Sequence, residues 1–374
     1  MRLLRRWSLA PLLAVLLILS LLSPVLAQAA PPVPVTGIIH VVDLGDTLGE
    51  LAVRYGTSTE AITSANSLPN PDIIHVGDKL LIPSLLSDAV SSVPEPFSAI
   101  LLSSPTPAQG QAWTVRVEAR EPITLSGTFD GHALHWVAEG AIGRLPRAYW
   151  ALAAVHALTS PGPHPLVLEA TDGRGIRGTA DIDISVQAGT FGTTRIYLSA
   201  STSELLAPQL VQSEAAKLAA IWVQGGVDPQ WEGRFARPLR PMWGVSSEFG
   251  QRRAYNDGPA TSYHAGVDFA AKQGALVLAP AAGRVVLAEP LNVRGNAVIL
   301  DHGAGVHTGY WHLWQIFVTD GDEVQKGDVL ARVGNTGLST GAHLHWELRV
   351  GDVAVDPLQW TQEVMPRTLL TGTE

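Results

Sequence analysis

The dominant feature of this sequence is a series of short segments in which apolar and polar residues alternate, separated by turns rich in Gly, Pro and Asp. Clear examples are TVRVEAR (114–120), ITLSGTF (123–129) and ADIDISV (180–186). Alternation with a period of two places successive side chains on opposite faces of a strand. The pattern therefore predicts a mainly β protein, and the length of 374 residues predicts two to four domains.

Charge and cysteine content exclude several classes of function. The formal net charge is -9 and no long basic run follows the first few residues, which argues against nucleic acid as a partner. The chain has no cysteine, so disulfides, thiolate nucleophiles, cysteine-rich zinc sites and lipid attachment through an N-terminal cysteine are excluded. Any metal site must therefore use His, Asp and Glu.

The first 27 residues have the features of a secretory signal peptide. A basic start precedes an apolar run, roughly Trp7 to Leu22, and small residues that suit cleavage after Ala27 or Ala29. The alternative is an uncleaved membrane anchor, although the run is short for a spanning helix. Both interpretations predict a chain that is secreted or associated with the cell envelope, outside the cytoplasmic membrane, with membrane contact only if the segment stays uncleaved.

Residues 38–83 carry a βααβ pattern. After a short strand, Asp46 and Thr47 can cap a helix whose apolar residues follow helical spacing and which ends at Gly56. A second short helix and the strand KLLIP complete the pattern. The segment resembles a LysM module in GDTL, in YG at the helix end, in Asn66 and in VGDKLLIP. The resemblance implies binding of the N-acetylglucosamine-containing glycan of peptidoglycan or chitin; the alternative is a small folding unit without a ligand.

Two further regions follow a linker at 84–96. Residues 97–187 predict a β-sandwich of immunoglobulin size that acts as a spacer or brace. His132 and His135 lie there, but they lack a partnering carboxylate motif and are predicted to be structural. Residues 188–232 form a connecting segment with a short strand and a helical stretch, whose role the sequence does not indicate.

The C-terminal region, 233–364, predicts an all-β domain with a concentration of histidines. Six of the twelve histidines fall between His264 and His345. On strands, His264 shares a face with Asp268, and His343 shares a face with His345 and Glu347. The same rule predicts that Thr308, Tyr310 and His312 share a face.

Such faces suit a catalytic metal. Zinc in a catalytic site takes three protein ligands and keeps one position open for water, whose pKa it lowers. Hydrolysis also needs a base and a group that stabilises the developing oxyanion. The three faces hold one such set, with two imidazoles left for proton transfer and charge stabilisation.

The motifs HAGVD, GYWHL and GAHLHWE, with SSEFGQRR and GNTGLSTGAHLH around them, resemble the lysostaphin-type (LytM-type) zinc metalloendopeptidases from about Gly233 to Pro357. The resemblance implies a single zinc ion held by its ligands, and two catalytic histidines. The implied ligands are His264, Asp268 and His345, and the implied catalytic residues are His312 and His343, with His343 favoured as the base. It also implies a peptidoglycan hydrolase that cuts peptide stems or cross-bridges, tethered to the wall glycan by LysM.

The sequence departs from that family at Trp311, where a smaller residue is usual, and at Ala342, where Pro is common. Alternation predicts that Trp311 faces away from His312, so that packing is altered and chemistry is kept. Further expectations concern neighbouring residues. Tyr255 or Tyr263 assists the oxyanion, Glu347 orients His345, His302 and His307 are structural, and Arg252 and Arg253 either bind a substrate carboxylate or close a loop.

Two other interpretations compete with a peptidase. GALVLAPAAGRVV and GDEVQKGDVLARVG are similar to strands of biotinyl and lipoyl carrier domains, but the turn at 280–283 lacks the lysine that carries the cofactor. A catalytically silent wall-binding protein, or an activator of other wall hydrolases, would also suit LysM and the sandwich. The intact five-residue set favours an enzyme. The sequence does not indicate which peptide bond is cut.

Overall fold

The computed structural model describes residues 37–42, 44–55, 57–83, 93–139, 147–240 and 244–370, all within one compact unit, Val35–Glu374. The predicted signal segment at 1–27, and Gly56, where the first helix of the βααβ pattern is predicted to end, lie outside these residues. The fold is mainly β, as predicted. Within the described part of the chain, no helix has the length and apolar character needed to cross a membrane.

The N-terminal module has the predicted βααβ order. Its elements are β1 Gly37–Val41, α1 Leu48–Tyr55, α2 Thr59–Ala65 and β2 Lys79–Pro83. The two helices pack on the strands through buried apolar residues, among them Leu51, Ile62 and Ile82. The side chain of Asn66 bonds both backbone groups of Leu81, which fixes the end of α2 against β2.

Two four-stranded antiparallel sheets form the middle of the chain, as predicted for residues 97–187. The strands are β3 Phe97–Leu102, β4 Ala112–Ala119, β5 Ile123–Phe129, β6 His132–Ala133, β7 Val137–Glu139, β8 Ala148–Ala154, β9 Gly162–Asp172 and β10 Arg177–Val186. One sheet has the order β10-β9-β5-β6 and the other β3-β4-β8-β7. The stretch from His132 to Glu139 thus leaves one sheet and joins the other.

Strand β8 is buried on both faces, which joins the sandwich to the C-terminal region. Tyr149 and Ala153 face the core of the sandwich, whereas Trp150 and Leu152 belong to the core of the C-terminal sheet. A strand buried on both sides loses its alternation, because both faces then select apolar residues. The outer face of one sandwich sheet therefore contributes to the hydrophobic core of the C-terminal region.

The connecting segment is ordered and packs on the C-terminal sheet. It contains β11 Thr193–Ile196, α3 Ala200–Ser203, a 3-10 turn at Glu204–Leu206 and α4 Pro208–Trp222. Pro208 at the first turn suits a helix start, since its missing N–H would have no intrahelical partner. Leu218 and Trp222 on α4 pack against Leu287, Ile299 and Trp311.

The C-terminal region is built around one large sheet. The elements of this region are β12 Val245–Ser247, β13 Arg252–Tyr255, β14 Ala260–Tyr263, β15 Gly266–Ala270, β16 Leu276–Leu278, β17 Gly283–Pro290, β18 Asn296–Asp301, β19 Val306–Ile316, β20 Glu323–Val324, β21 Val329–Val333, β22 His343–Val350, β23 Val353–Val355, α5 Pro357–Gln362 and β24 Thr368–Leu370. The main order is β12-β15-β22-β19-β18-β17-β20. Strand β24 pairs instead with β1, so the N-terminal module has a three-stranded sheet.

Candidate metal centre

Three side chains from neighbouring parts of the C-terminal sheet bring their donor atoms together. Asp268 on β15 lies directly opposite His345 on β22, and their side chains share a face. His264 precedes β15 in the turn after β14 and reaches the same point. One ligand atom from each of the three lies within 4.8 Å of the others, and all three residues are buried.

The protonation pattern of this cluster fits a bound cation. Asp268 Oδ1 lies 2.9 Å from His264 Nε2 and 2.8 Å from His345 Nδ1, and the two ring nitrogens are 2.9 Å apart. The Nδ1–H of His264 donates to the carbonyl oxygen of Glu248 at 2.8 Å, so Nε2 of the neutral ring carries a lone pair. Two imidazole nitrogens and a carboxylate oxygen thus converge, which is the donor set of a catalytic zinc site.

The second oxygen of Asp268 is held from outside the cluster. Arg253 donates to Asp268 Oδ2 at 2.8 Å and to the hydroxyl of Ser247 at 3.2 Å. Burial alone would raise the pKa of Asp268, but the adjoining imidazoles of His264 and His345 keep it well below its usual range. Burial lowers the pKa of His264 to about 4. At neutral pH the carboxylate is therefore ionised and the imidazole neutral, as metal ligands must be.

The other two predicted histidines stand beside the cluster. The ring centroid of His312 is 4.8 Å from that of His343 and 6.2 Å from that of His345. His343 Nε2 lies 3.9 Å from Asp268 Oδ1, and its side chain is 19% exposed, whereas the other four residues are buried. The structure therefore brings all five predicted site residues together.

Both flanking rings are anchored by their Nδ1 atoms. His343 donates to the carbonyl oxygen of Gly341 at 2.8 Å, and His312 donates to that of Thr336 at 2.8 Å. Each neutral ring therefore has an unprotonated Nε2. Burial lowers the pKa of His343, and burial together with the nearby His343 and His345 lowers the pKa of His312 to about 3. Both rings are thus neutral at neutral pH, and each Nε2 can accept a hydrogen bond.

The expectation that Thr308, Tyr310 and His312 share a face is wrong. Tyr310 pairs with Trp346 and Thr308 with Leu348, which places both on the core face of β19. His312 has a φ of 63°, and this left-handed residue interrupts the alternation. The interruption turns the ring of His312 toward the cluster instead of the core.

The expectation for Trp311 is wrong for the same reason. Trp311 lies directly opposite His345, on the cluster side, and lines the same groove as His312. Its Nε1–H donates to Glu347 at 3.0 Å. Arg349 also donates to Glu347, at 2.7 Å, so the carboxylate predicted to orient His345 is bound to these two neighbours instead.

The cluster opens into a groove of about 730 Å³. One wall is apolar and comes from the connecting segment, which the sequence could not assign to the site. That wall contains Ile196, Leu198, Leu206, Pro208 and Val211. The loop at 338–340 and the turn at 293–294 supply other walls. The cluster thus lies in a groove with one apolar side.

Of the remaining predicted residues, some line the groove and the others make structural contacts elsewhere. Tyr255 and Tyr263 both line the groove, and the hydroxyl of Tyr263 bonds His156 of the sandwich at 3.0 Å. Arg252 donates to the carbonyl oxygen of Ala157 at 2.9 Å, so it fastens the sandwich. His302 and His307 are buried away from the cluster. His132 bonds Asp352 in an exposed contact. Among the described residues, neither His132 nor His135 joins a metal-binding group.

Sequence reasoning missed the residues that hold the cluster from behind. Arg253 was assigned to substrate or loop, and nothing in the sequence marks Arg253 and Asp268, fifteen positions apart, as a pair. The carbonyl of Glu248, which accepts from His264, was not singled out. No local pattern identifies such contacts, because each joins segments that only the tertiary fold brings together.

Comparison with known protein families agrees with the motifs. Residues 262–357 match the model of peptidase family M23, and residues 40–83 match the model of the LysM domain. A crystal structure assigned to peptidase M23 from Pseudomonas aeruginosa is similar at a TM-score of 0.50 and 26% identity, covering 68% of this chain and 94% of that one. The structural likeness therefore extends beyond the matched M23 region.

Curated relatives share the same region. An uncharacterised metalloprotease of Haemophilus influenzae is 43% identical over 126 residues, covering 33% of this chain and 26% of that protein. The peptidoglycan DD-endopeptidase ShyA of Vibrio cholerae is 38% identical over 113 residues, covering 30% of this chain and 26% of that protein. The chain thus spans about a quarter of the length of these relatives.

Proposed function

Since this chain contains a peptidase family M23 domain and a LysM domain, we propose that it is a zinc-dependent peptidoglycan endopeptidase acting outside the cytoplasmic membrane. The observation that carries the proposal is the convergence of two histidine pairs and one carboxylate at the floor of a peptide-sized groove. The relative from Vibrio cholerae, a peptidoglycan DD-endopeptidase, supports peptidoglycan as the substrate class. The domain limits in this proposal are 38–83 for LysM and 233–364 for the peptidase.

In this proposal His264, Asp268 and His345 hold the zinc. When bound, zinc supplies a Lewis acid that activates water and polarises the scissile carbonyl. Arg253 keeps Asp268 oriented through its second oxygen, which leaves Oδ1 for the metal. Such outer contacts fix the geometry of ligands and their charge.

Proton transfer falls to the two flanking histidines. Nε2 of His343 is unprotonated and lies at the edge of the cluster, so His343 accepts the proton of the attacking water and passes it to the leaving amine. His312 presents a second unprotonated Nε2 and holds the water by accepting a hydrogen bond from it. The alternative assignment exchanges the two roles.

The LysM module serves as a tether in this account. A cleft of about 670 Å³ lies between the start of α1 and α2, lined by residues that include Asp46, Thr59 and Asp72. Binding of N-acetylglucosamine-containing glycan there raises the local concentration of enzyme at cross-links. The sandwich, through β8, acts as a brace for the peptidase region.

Digestion of purified peptidoglycans that differ in cross-link chemistry tests the proposal. The wild-type protein should release cleaved peptide stems or cross-bridges, identified by mass, and His343→Ala should not. His75→Ala provides a matched control, because this histidine of the LysM module is 76% exposed in its side chain and remote from the groove. Binding to every peptidoglycan without any cleaved peptide would instead identify a silent wall-binding protein.

A further inference from the structure

We propose that Glu214 on α4 is a positioning residue for His312, so that the connecting segment forms part of the catalytic apparatus. The inference rests on the proposed function, because it assigns His312 a catalytic role. Helix α4 ends before the region that matches peptidase family M23 begins at residue 262. The matched region therefore does not contain everything that holds its own site.

The carboxylate of Glu214 is buried, and both of its oxygens accept hydrogen bonds from one turn of the C-terminal region, residues 293–294. Its Oε2 accepts from the backbone N–H of Val293 at 2.8 Å. Its Oε1 accepts from the backbone N–H of Arg294 at 3.1 Å and from the guanidinium of Arg294 at 3.0 Å. Only 2% of the Glu214 side chain is exposed. A buried carboxylate is tolerated only when such donors surround it, so its position and that of the turn depend on each other.

The turn that Glu214 holds is bonded directly to His312. The carbonyl oxygen of Arg294 accepts from the backbone N–H of His312 at 2.9 Å. That bond acts on a residue whose φ of 63° is disfavoured for any side chain with a Cβ, and such a conformation persists only where its surroundings impose it. Two hydrogen-bonded steps thus connect α4 to His312. The carboxylate of Glu214 holds the turn, and the carbonyl of Arg294 in that turn holds the backbone of His312.

A second loop, at 336–337, bonds the ring of His312 and also packs against the 293–295 turn. Thr336 accepts from the Nδ1–H of His312 at 2.8 Å, and the hydroxyl of Thr336 accepts from the backbone of Asn296 at 2.9 Å. Gly295 and Gly337 meet so closely that a Cβ on Gly337 would lie 2.3 Å from the Gly295 nitrogen. A displaced 293–295 turn would therefore move both supports of His312.

Helix α4 has an independent attachment, which makes the role of Glu214 testable. Leu218 and Trp222 keep the helix packed on the sheet through a buried apolar cluster. Lys217, on the same helix, pairs with Glu289 at the surface and makes no contact with the turn among the described bonds. Replacement of Glu214 should thus free the turn while the helix stays docked.

The experiment compares Glu214→Gln, Glu214→Ala and the control Lys217→Ala in the full, zinc-loaded chain. Turnover of soluble cross-linked peptidoglycan fragments, expressed per bound zinc, gives kcat and KM. Histidine-selective NMR of the ring C–H groups reports the environment of His312. We expect kcat to fall about ten- to hundred-fold in Glu214→Ala and less in Glu214→Gln, because small displacements of a catalytic group have effects of this size. The zinc content of the Glu214 variants, and the kcat and KM of Lys217→Ala, should remain near the wild-type values.

The His312 signals should shift in both Glu214 variants and not in Lys217→Ala. The proposal is overturned if Glu214→Ala keeps kcat within twofold of wild type, if kcat falls while the His312 signals stay unchanged, or if the loss follows loss of zinc. A wild-type protein without activity on any peptidoglycan would defeat the proposed function instead. The NMR comparison would still decide whether Glu214 positions His312.

Discussion

The two halves of the candidate site are built in different ways. Asp268 and His345 lie directly opposite each other on β15 and β22, two paired strands in regular antiparallel register. His312 lies on β19 at a left-handed residue, where loops instead of strand geometry direct its ring. Regular pairing needs only alternation in the sequence, whereas the left-handed residue needs partners from α4, from the 293–295 turn and from the loop at 336.

This difference predicts which changes remove the metal and which remove only proton transfer. The strand pair should determine zinc binding, because its two ligands, Asp268 and His345, are in direct contact. The His312 region should determine turnover, because its supports do not contact the three ligand atoms. Variants of the two halves therefore separate metal content from kcat.

Replacement of a ligand on the strand pair should have the largest effect. His345→Ala removes one of three ligands and leaves Asp268 with fewer partners, so zinc is lost and hydrolysis falls to background. Zinc content per chain after dialysis and release of peptide products measure both effects. A His345→Ala protein that keeps its zinc would assign the third ligand elsewhere.

His343→Ala should retain zinc and lose turnover. The ring lies 3.9 Å from the Asp268 oxygen and is not among the three converging ligands. Loss of a general base lowers kcat by about 10²- to 10⁴-fold. Zinc content and kcat measured together test this, and loss of zinc in His343→Ala with retention in His345→Ala would reverse the two assignments.

Gly337→Ala should reduce turnover to a smaller extent. Gly337 has a φ of +70°, and an added Cβ would collide with Gly295, so the loop that bonds the ring of His312 must move. We expect kcat to fall about tenfold with zinc retained. Gly173→Ala, where a Cβ meets nothing within 4 Å, is the control. An unchanged kcat would show that His312 does not depend on this loop.

The smallest predicted effect is the change with pH in the free energy of unfolding that His302 contributes on the core side of the sheet. His302 is buried, bonds Ala282 and Thr308, and has its pKa lowered by burial from 6.5 to about 4. The unfolded chain takes up this proton first as the pH falls, so the stability contributed by neutral His302 is complete above about pH 6.5 and is lost toward pH 4.

Urea unfolding of wild type and His302→Gln at pH 7.5 and pH 5 isolates that contribution. The wild-type free energy of unfolding should fall more steeply, and the gap between the two proteins should narrow by on the order of 2 kcal/mol at pH 5. Parallel loss in both proteins would mean that His302 does not titrate as its burial requires.

The sequence predicted those parts of the fold whose patterns are local. The βααβ module and most sandwich strands follow directly from residue periodicity, and so does the shared face of His343, His345 and Glu347. Strand β8 was missed because both of its faces are buried and its residues AYWALAA do not alternate. The faces of Trp311 and His312 were predicted wrongly, since a single left-handed residue has no signature in a strand-like segment.

The supports of the site were beyond sequence reasoning for a related reason. Glu214 lies 79 positions before Val293 and 80 before Arg294, the two residues of the turn that it binds. The helix that contains Glu214 carries no motif. A glutamate within a helix is most often exposed, so only its burial in the fold identifies it as a structural carboxylate. The site is therefore predictable where chemistry defines the motif, and unpredictable where packing holds it.

An anomalous diffraction map at the zinc absorption edge, from crystals of the full chain, tests the central claim most directly. The account predicts one peak about 2.0–2.2 Å from His264 Nε2, Asp268 Oδ1 and His345 Nδ1, with His312 and His343 outside bonding distance. The absence of a peak, or a peak bonded to His312 or His343 in place of those ligands, would contradict it.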